Sequence, residues 1–337
     1  MSSGVANLVQ NNVISQVSYV ALQTGIRMLL PNITWIDIGS NRSTVIQNTV
    51  FSGGVVLIQI GDGLNIKYND AYYSHYQRAD LAVMYGFNGQ GHDAEIDHNW
   101  AHDCFGALNS TLKYNGCTGV YLDNSCNNYK VYRNVAWNGN PQAWNYQTMG
   151  QMAPYEITKN NVWAYNTGPG YMSMSTSQAM TNNLGENNII QYKAVNPGFN
   201  AVHNFDPTVT DPFFVDAANH DYHLRPYSPA IGGAIRLGAP YDDQVSSTKN
   251  PDYGAYDTGL PDWLPGAMIR ASDLANLIFT CESTSSGTSI DCTIEGLPQG
   301  RKLPLGFSLN VGPASGPTGT AGTCVTNYNY PTSQGTG

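Results

Sequence analysis

The stretch IDHNWAHDC, Ile96 to Cys104, places two histidines, two aspartates and a tryptophan in nine positions. Carboxyl and imidazole groups can pass protons at working pH, so Asp97, His98, His102 and Asp103 are candidates for acid–base chemistry. His75, Asp80 and the run His92-Asp93-Ala94-Glu95 stand nearby in the chain. Zinc is the weaker reading, because His92, His98 and His102 lack the spacing of a zinc site. The same stretch also reads as scaffold, since Ile96-x-x-Asn99 is one copy of a recurring pattern.

That pattern is apolar–x–x–Asn, and it returns at Asn11, Asn48, Asn69, Asn99, Asn134, Asn160 and Asn187, 21 to 37 residues apart. Around each copy lie short stretches with period-two alternation, such as YKVYRN and AEIDHN, broken by Gly and Asn. Alternation of that kind marks strands, and no helical period competes with it. Further strand-like stretches, VVLIQI, LAVMY, GVYLD and GYMSMS, close several units. Short strands repeated with variable loops predict an all-β parallel solenoid, in which each coil buries its apolar residues against its neighbours. Recurrent Asn side chains can stack along such an axis as a hydrogen-bonded ladder.

One unit differs. Between Asn99 and Asn134 a long insertion leaves the coil, flanked by Cys104 and Cys117, with Cys126 close behind. A Cys104–Cys117 disulfide is the simplest way to fix it, although six cysteines allow 15 connectivities. Ordered loops on a rigid scaffold are where binding and catalysis concentrate. Tyr72, Tyr73, Tyr76, Trp100, Trp137, Trp144 and Trp163 recur after the ladder positions, as a platform for sugar rings or as packing beneath the loops.

The repeat resembles the right-handed parallel β-helix of the pectin-lyase-like superfamily, over about residues 5 to 259. The end of that span, DPFFVDAANHDYHLRPYSPAIGGA followed by PDYGAYDTG, is similar to the closing coils of secreted carbohydrate-active members. The resemblance implies a solenoid over 1–259, while LIFTCES, SIDCTIEGLP and GFSLNVG form a separate small β module over 260–312, with Cys281 and Cys292 placed to staple a hairpin. Residues 313–337, rich in Gly, Pro, Ser and Thr, read as a tail or linker. The abrupt start of the repeat suggests a segment of a longer chain.

Carbohydrate-active members of the superfamily carry segments similar to AHD and GVYLD at their groove. Carried over, Asp103 and Asp123 become the acid/base pair of a glycoside hydrolase. Such a pair is separated by about 5–5.5 Å in retaining and 6.5–9.5 Å in inverting enzymes. His102, Tyr121, His98, His75, Tyr72 and Trp100 become substrate-binding residues. Asp at a strand end also caps turns, and that reading stays open for both aspartates. No cofactor is implied, although calcium would suit a lyase-like relative.

Charge narrows the partners. Twenty-four acidic residues against 15 basic ones disfavour nucleic acid, whose phosphates need a basic face, and polyanionic sugars for the same reason. A neutral polysaccharide or oligosaccharide is the expected ligand. No apolar run is long enough for a membrane span. Sequons at Asn32, Asn41 and Asn109, with the paired cysteines, point to an extracellular, glycosylated protein. Three functions follow as expectations: a glycoside hydrolase of neutral glycans, a polysaccharide lyase, or a non-enzymatic module of a large structural or adhesive glycoprotein capable of self-assembly.

Overall fold

The computed structural model describes residues 7–15, 43–53, 56–74, 81–104, 117–138, 147–151, 159–174, 180–193, 196–269, 278–283, 290–303, 308–311 and 322–325. The chain is nearly all β, and its larger part is a parallel solenoid. Contacts divide it into two units, Met1–Gly266 and Ala267–Gly337.

Three strand positions recur along the coils of the first unit, among the described residues. An eight-stranded sheet forms the first face, running from Leu8–Gln10 through Glu95–Asp97 and Lys130–Tyr132 to Phe199–Val202. The second face holds Val13–Ser15, Thr49–Phe51, Asp70–Ser74, Trp100–Cys104 and Val135–Trp137. The third holds Ile58–Ile60, Leu81–Gly86, Cys117–Leu122 and Gln147–Gln151. Thr167–Met174 is long enough to join both, pairing with the second face through Thr167 and with the third through Tyr171–Met174.

Parallel register stacks like upon like. On the first face Val45, Ile66, Ile96, Val131 and Trp163 follow one another inward. Bulky Trp163 is paired with Gly185, where a Cβ would lie 2.5 Å from the Tyr192 hydroxyl. The second face contributes Val50, Ala71, Ala101 and Ala136, and the third Ile58, Met84, Val120, Met149 and Met172. Buried apolar area of this kind, at about 25 cal/mol per Å2, is the main force holding coil on coil.

The corner between the first two faces is built from two residues. The first takes a left-handed conformation, with φ 53° at Gln47, 52° at Tyr68, 53° at His98, 52° at Arg133 and 52° at Tyr165. The second is the ladder asparagine, and the ladder runs Asn12, Asn48, Asn69, Asn99, Asn134, Asn166, Asn188 and Asn204. At each step the Oδ1 of one Asn accepts from the backbone N–H and Nδ2 of the Asn before it, as Asn99 does from Asn69 at 2.8 and 3.0 Å. Three expected members shift: Asn11 and Asn187 are the left-handed residues preceding Asn12 and Asn188, and Asn160 belongs to another turn. In that turn a second ladder forms, where Asn161 Oδ1 accepts from Tyr129 N and Asn183 Oδ1 accepts from Asn161 N.

The closing segment, residues 205–266, returns along the solenoid and covers the corner row. Gly254 N donates to Asn187 O, Ala255 N to Thr167 Oγ1, and Trp100 Nε1 to the Tyr256 hydroxyl at 2.9 Å. Arg133, buried, donates from Nη1 to Ala255 O and from Nε to Asp243. The GAY signature is therefore a docking strip. SPA is a turn in which Ser228 Oγ donates to Pro212 O while accepting from Ala230 N.

In the second unit, Ile278–Ser283 pairs antiparallel with Ile290–Glu295 and sets Cys281 opposite Cys292. Ser308–Val311 pairs with Gly322–Val325, a strand within the stretch expected as a tail.

Candidate functional site

The outer side of the second face carries a column of rings. Phe51, Tyr72, His102 and Trp137 are register partners on successive coils. Alternation turns them outward because Ala71, Ala101 and Ala136 face the core. Phe51 stacks on Tyr72 at 5.2 Å, Tyr72 on His102 at 5.0 Å, His102 on Trp137 at 4.0 Å, and His220 closes the column on Trp137 at 5.1 Å.

His102 is held in the plane of this stack by two carboxylates. Its Nδ1 lies 2.7 Å from Asp103 Oδ2 and its Nε2 2.9 Å from Asp70 Oδ1. Both nitrogens facing acceptors requires both to carry protons. Burial alone would lower the His102 pKa, but the bonds to Asp103 and Asp70 outweigh it and raise it. Asp103 moves the other way: burial opposes its ionisation, yet His102 and Asn138 hold its pKa below 3.8. With both ring nitrogens engaged by carboxylates, His102 orients Asp103 and has no free nitrogen with which to take a proton from a substrate.

Asp103 itself stands at a second left-handed corner, φ 51°, beside Tyr73 at 57° and Asn138 at 49° on the adjoining coils. Asn138 Nδ2 donates to its Oδ1 at 2.8 Å, and its side chain retains 19% exposure. Around it lie Tyr72, Tyr73, His220 and Tyr222. The next residue, Cys104, forms the expected disulfide with Cys117, Cα to Cα 5.7 Å, at the corner between second and third faces.

Asp123 is elsewhere. It follows the strand Cys117–Leu122, so the third face separates it from the Cys104–Cys117 corner, a run of about 20 Å at 3.3 Å per residue. Its Oδ2 accepts from the Tyr85 hydroxyl at 2.7 Å, and its Oδ1 from Asn124 N and Nδ2 at 2.8 and 3.0 Å. Burial raises its pKa, with Tyr85, Asn124 and Tyr121 opposing. It caps the turn into the first face, and shares no hydrogen-bond partner with Asp103. Tyr121 packs with Tyr85 on the outer third face, away from His102. The acid/base pair read from the AHD and GVYLD segments is not assembled.

His98 also departs from expectation. Strict alternation would turn it inward with Ile96, but its left-handed φ sends it outward to stack on Tyr68 at 4.5 Å beneath Trp263. Nδ1 meets Asp97 at 2.8 Å, and Asp97 also pairs with Lys67, which bridges to Glu95. It is a buried structural group. Trp100 is buried under the closing segment, and Trp163 belongs to the core rather than to an outer stripe. His75, Asn32, Asn41 and Asn109 lie outside the described residues.

Sequence reasoning missed Asp70, Asn138 and His220. Aligning NDAYY on NWAHD at the ladder asparagines would have placed Asp70 opposite Trp100 and Tyr72 opposite His102, one coil apart. Nothing local announces His220, which arrives from over a hundred residues away. Among the described residues no group of three or more His, Cys, Asp or Glu is arranged to hold a metal, and no helix is long and apolar enough to cross a membrane.

No protein-family model, curated protein or solved structure matches the chain.

Proposed function

We propose that this chain is an extracellular, carbohydrate-directed parallel β-helix that binds a neutral glycan at the Asp103 rim of its second face. The observation that carries the reading is Asp103: an ionised, partly exposed carboxylate fixed by His102 and Asn138 and surrounded by Tyr72, Tyr73 and Tyr222. A fixed acceptor among phenols suits sugar hydroxyls and apolar ring faces, and the nearby cation, His102, is already consumed by two carboxylates.

Binding without cleavage is favoured over hydrolysis. The carboxyl nearest to Asp103 through the hydrogen-bond network is Asp70, and the His102 ring fills the space between them. A lyase reading is weaker still: the base beside the carboxylate is His220, and its ring is stacked on Trp137. The disulfide supports an oxidising compartment.

The test is calorimetric titration with neutral oligosaccharides (cellohexaose, mannohexaose, xylohexaose), with polygalacturonate as the acidic control. The wild type binds a neutral sugar, and Asp103→Asn weakens it about 10- to 100-fold, the worth of one charged hydrogen bond. Binding of polygalacturonate alone, or of none, overturns the reading. Released reducing ends abolished by Asp123→Asn would restore the two-carboxylate mechanism.

A further inference from the structure

Trp137 is the last ring that the coils themselves add to the column, and a residue of the closing segment covers its outer face. His102 covers one face at 4.0 Å and 9° between planes, and His220 the other at 5.1 Å and 23°. Its indole is 4% exposed, and its Nε1–H has no hydrogen-bond partner among the described residues. An indole N–H without an acceptor is unusual, because buried donors are nearly always satisfied.

The two histidines are not equivalent. His102 is locked by Asp70 and Asp103. His220 is the left-handed residue, φ 65°, ending the exposed turn Ala217–Asn219 at the tip of the hairpin Phe214–Asp216 and Asp221–Leu224. Its ring has one long polar contact, 3.5 Å from Nδ1 to the Tyr222 hydroxyl. Of the two covering rings it is the one that no carboxylate holds. The tip is tied within itself, Asp216 accepting from Asn219, so it can swing as a unit.

We propose that His220 is a built-in placeholder for a sugar ring: the hairpin tip lifts, and a neutral pyranose takes its place on Trp137. The exchange replaces one stacked ring by another of similar breadth. An exocyclic hydroxyl reaching past the indole edge can accept the in-plane Trp137 Nε1–H, and a further hydroxyl meets the neighbouring Asp103 carboxylate. His220 thereby sets a threshold for binding. This inference rests on the neutral-glycan reading for its ligand but not for its moving part.

Two measurements separate the layers. His220→Asn keeps a residue tolerant of left-handed φ while removing the aromatic ring. Acrylamide quenching, read as the difference between each protein and its Trp137→Phe counterpart, reports the cover directly. Trp137 becomes more accessible in His220→Asn, and an unchanged value overturns the lid. Titration with the same neutral hexasaccharides then reads the exchange. His220→Asn binds about 2- to 10-fold tighter, the equivalent of one lost aromatic pair, whereas equal or weaker binding overturns the placeholder role. Increased quenching with no sugar bound by either protein retains the lid and rejects the glycan.

Discussion

At the scale of single residues, this molecule uses Asn and Asp more as backbone organisers than as reagents. Asn166 accepts from Asn134 N and Nδ2 at 3.0 Å each and donates to Val131 O and Asn188 Oδ1, all buried. Asn160, equally conspicuous in the sequence, is exposed: its backbone N–H donates to Thr181 O, and its side chain bonds to that of Asn128 rather than to a ladder neighbour. Asn166→Ala therefore strands several buried groups at about 1–3 kcal/mol each, a loss of about 3–5 kcal/mol. Asn160→Gly, which keeps the left-handed conformation, changes stability by less than about 0.5 kcal/mol. Urea melts of both variants check the contrast, and equal losses would return Asn160 to the ladder.

At the scale of elements, the closing hairpin is latched by a histidine. His223 Nδ1 lies 2.6 Å from Asp221 and Nε2 3.1 Å from Asp262, with its ring on Tyr256 at 3.9 Å. Burial would lower its pKa, but the two carboxylates raise it from 6.5 to about 9. A raised folded pKa means stability fully present below 6.5 and lost as pH climbs through about 9. Between pH 6.5 and 9.5 the wild type should lose stability that Asp262→Asn, its partner weakened, loses less steeply. Identical slopes in denaturant midpoint against pH would disprove the latch. Asp262 is largely exposed, so salt should shrink the effect.

At the scale of the whole first unit, coils and closing segment form one packing problem. Gly254 makes the close approach: φ is 87°, and a Cβ there would stand 2.6 Å from Thr167 Oγ1 and 2.8 Å from Ile189 Cδ1. Gly254→Ala combines a left-handed penalty of about 1–2 kcal/mol with overpacking of about 1–3 kcal/mol. Its cost, about 3 kcal/mol, should appear as one shifted cooperative transition in urea if the segment folds with the solenoid. An early separate transition, with the main one unmoved, would show the segment to be an independent flap. Tyr68, His98, Arg133 and Tyr165 all lie under this cover, which is why so polar a corner is buried.

The amino-acid sequence by itself determined the strands and the solenoid, because parallel stacking repeats the same local demand on every coil; it offered Cys104–Cys117 as the simplest of 15 pairings, and the structure chose it. Period-two alternation and an Asn at each corner are answers to that demand, readable at Ile96–Asn99 without any partner in view. It located four of the ladder residues, Asn48, Asn69, Asn99 and Asn134, and misjudged others where consecutive asparagines or two corners per coil made the pattern ambiguous. It also brought His102 and Asp103 forward. Only the tertiary structure decided that Asp123 caps a turn on the far side of the third face, that Asp70 and Asn138 complete the Asp103 site, and that His220 covers Trp137. The physical reason is register and return: side chains on neighbouring coils become partners through inter-strand pairing, and the closing segment chooses its contacts at a sequence distance that no local pattern encodes.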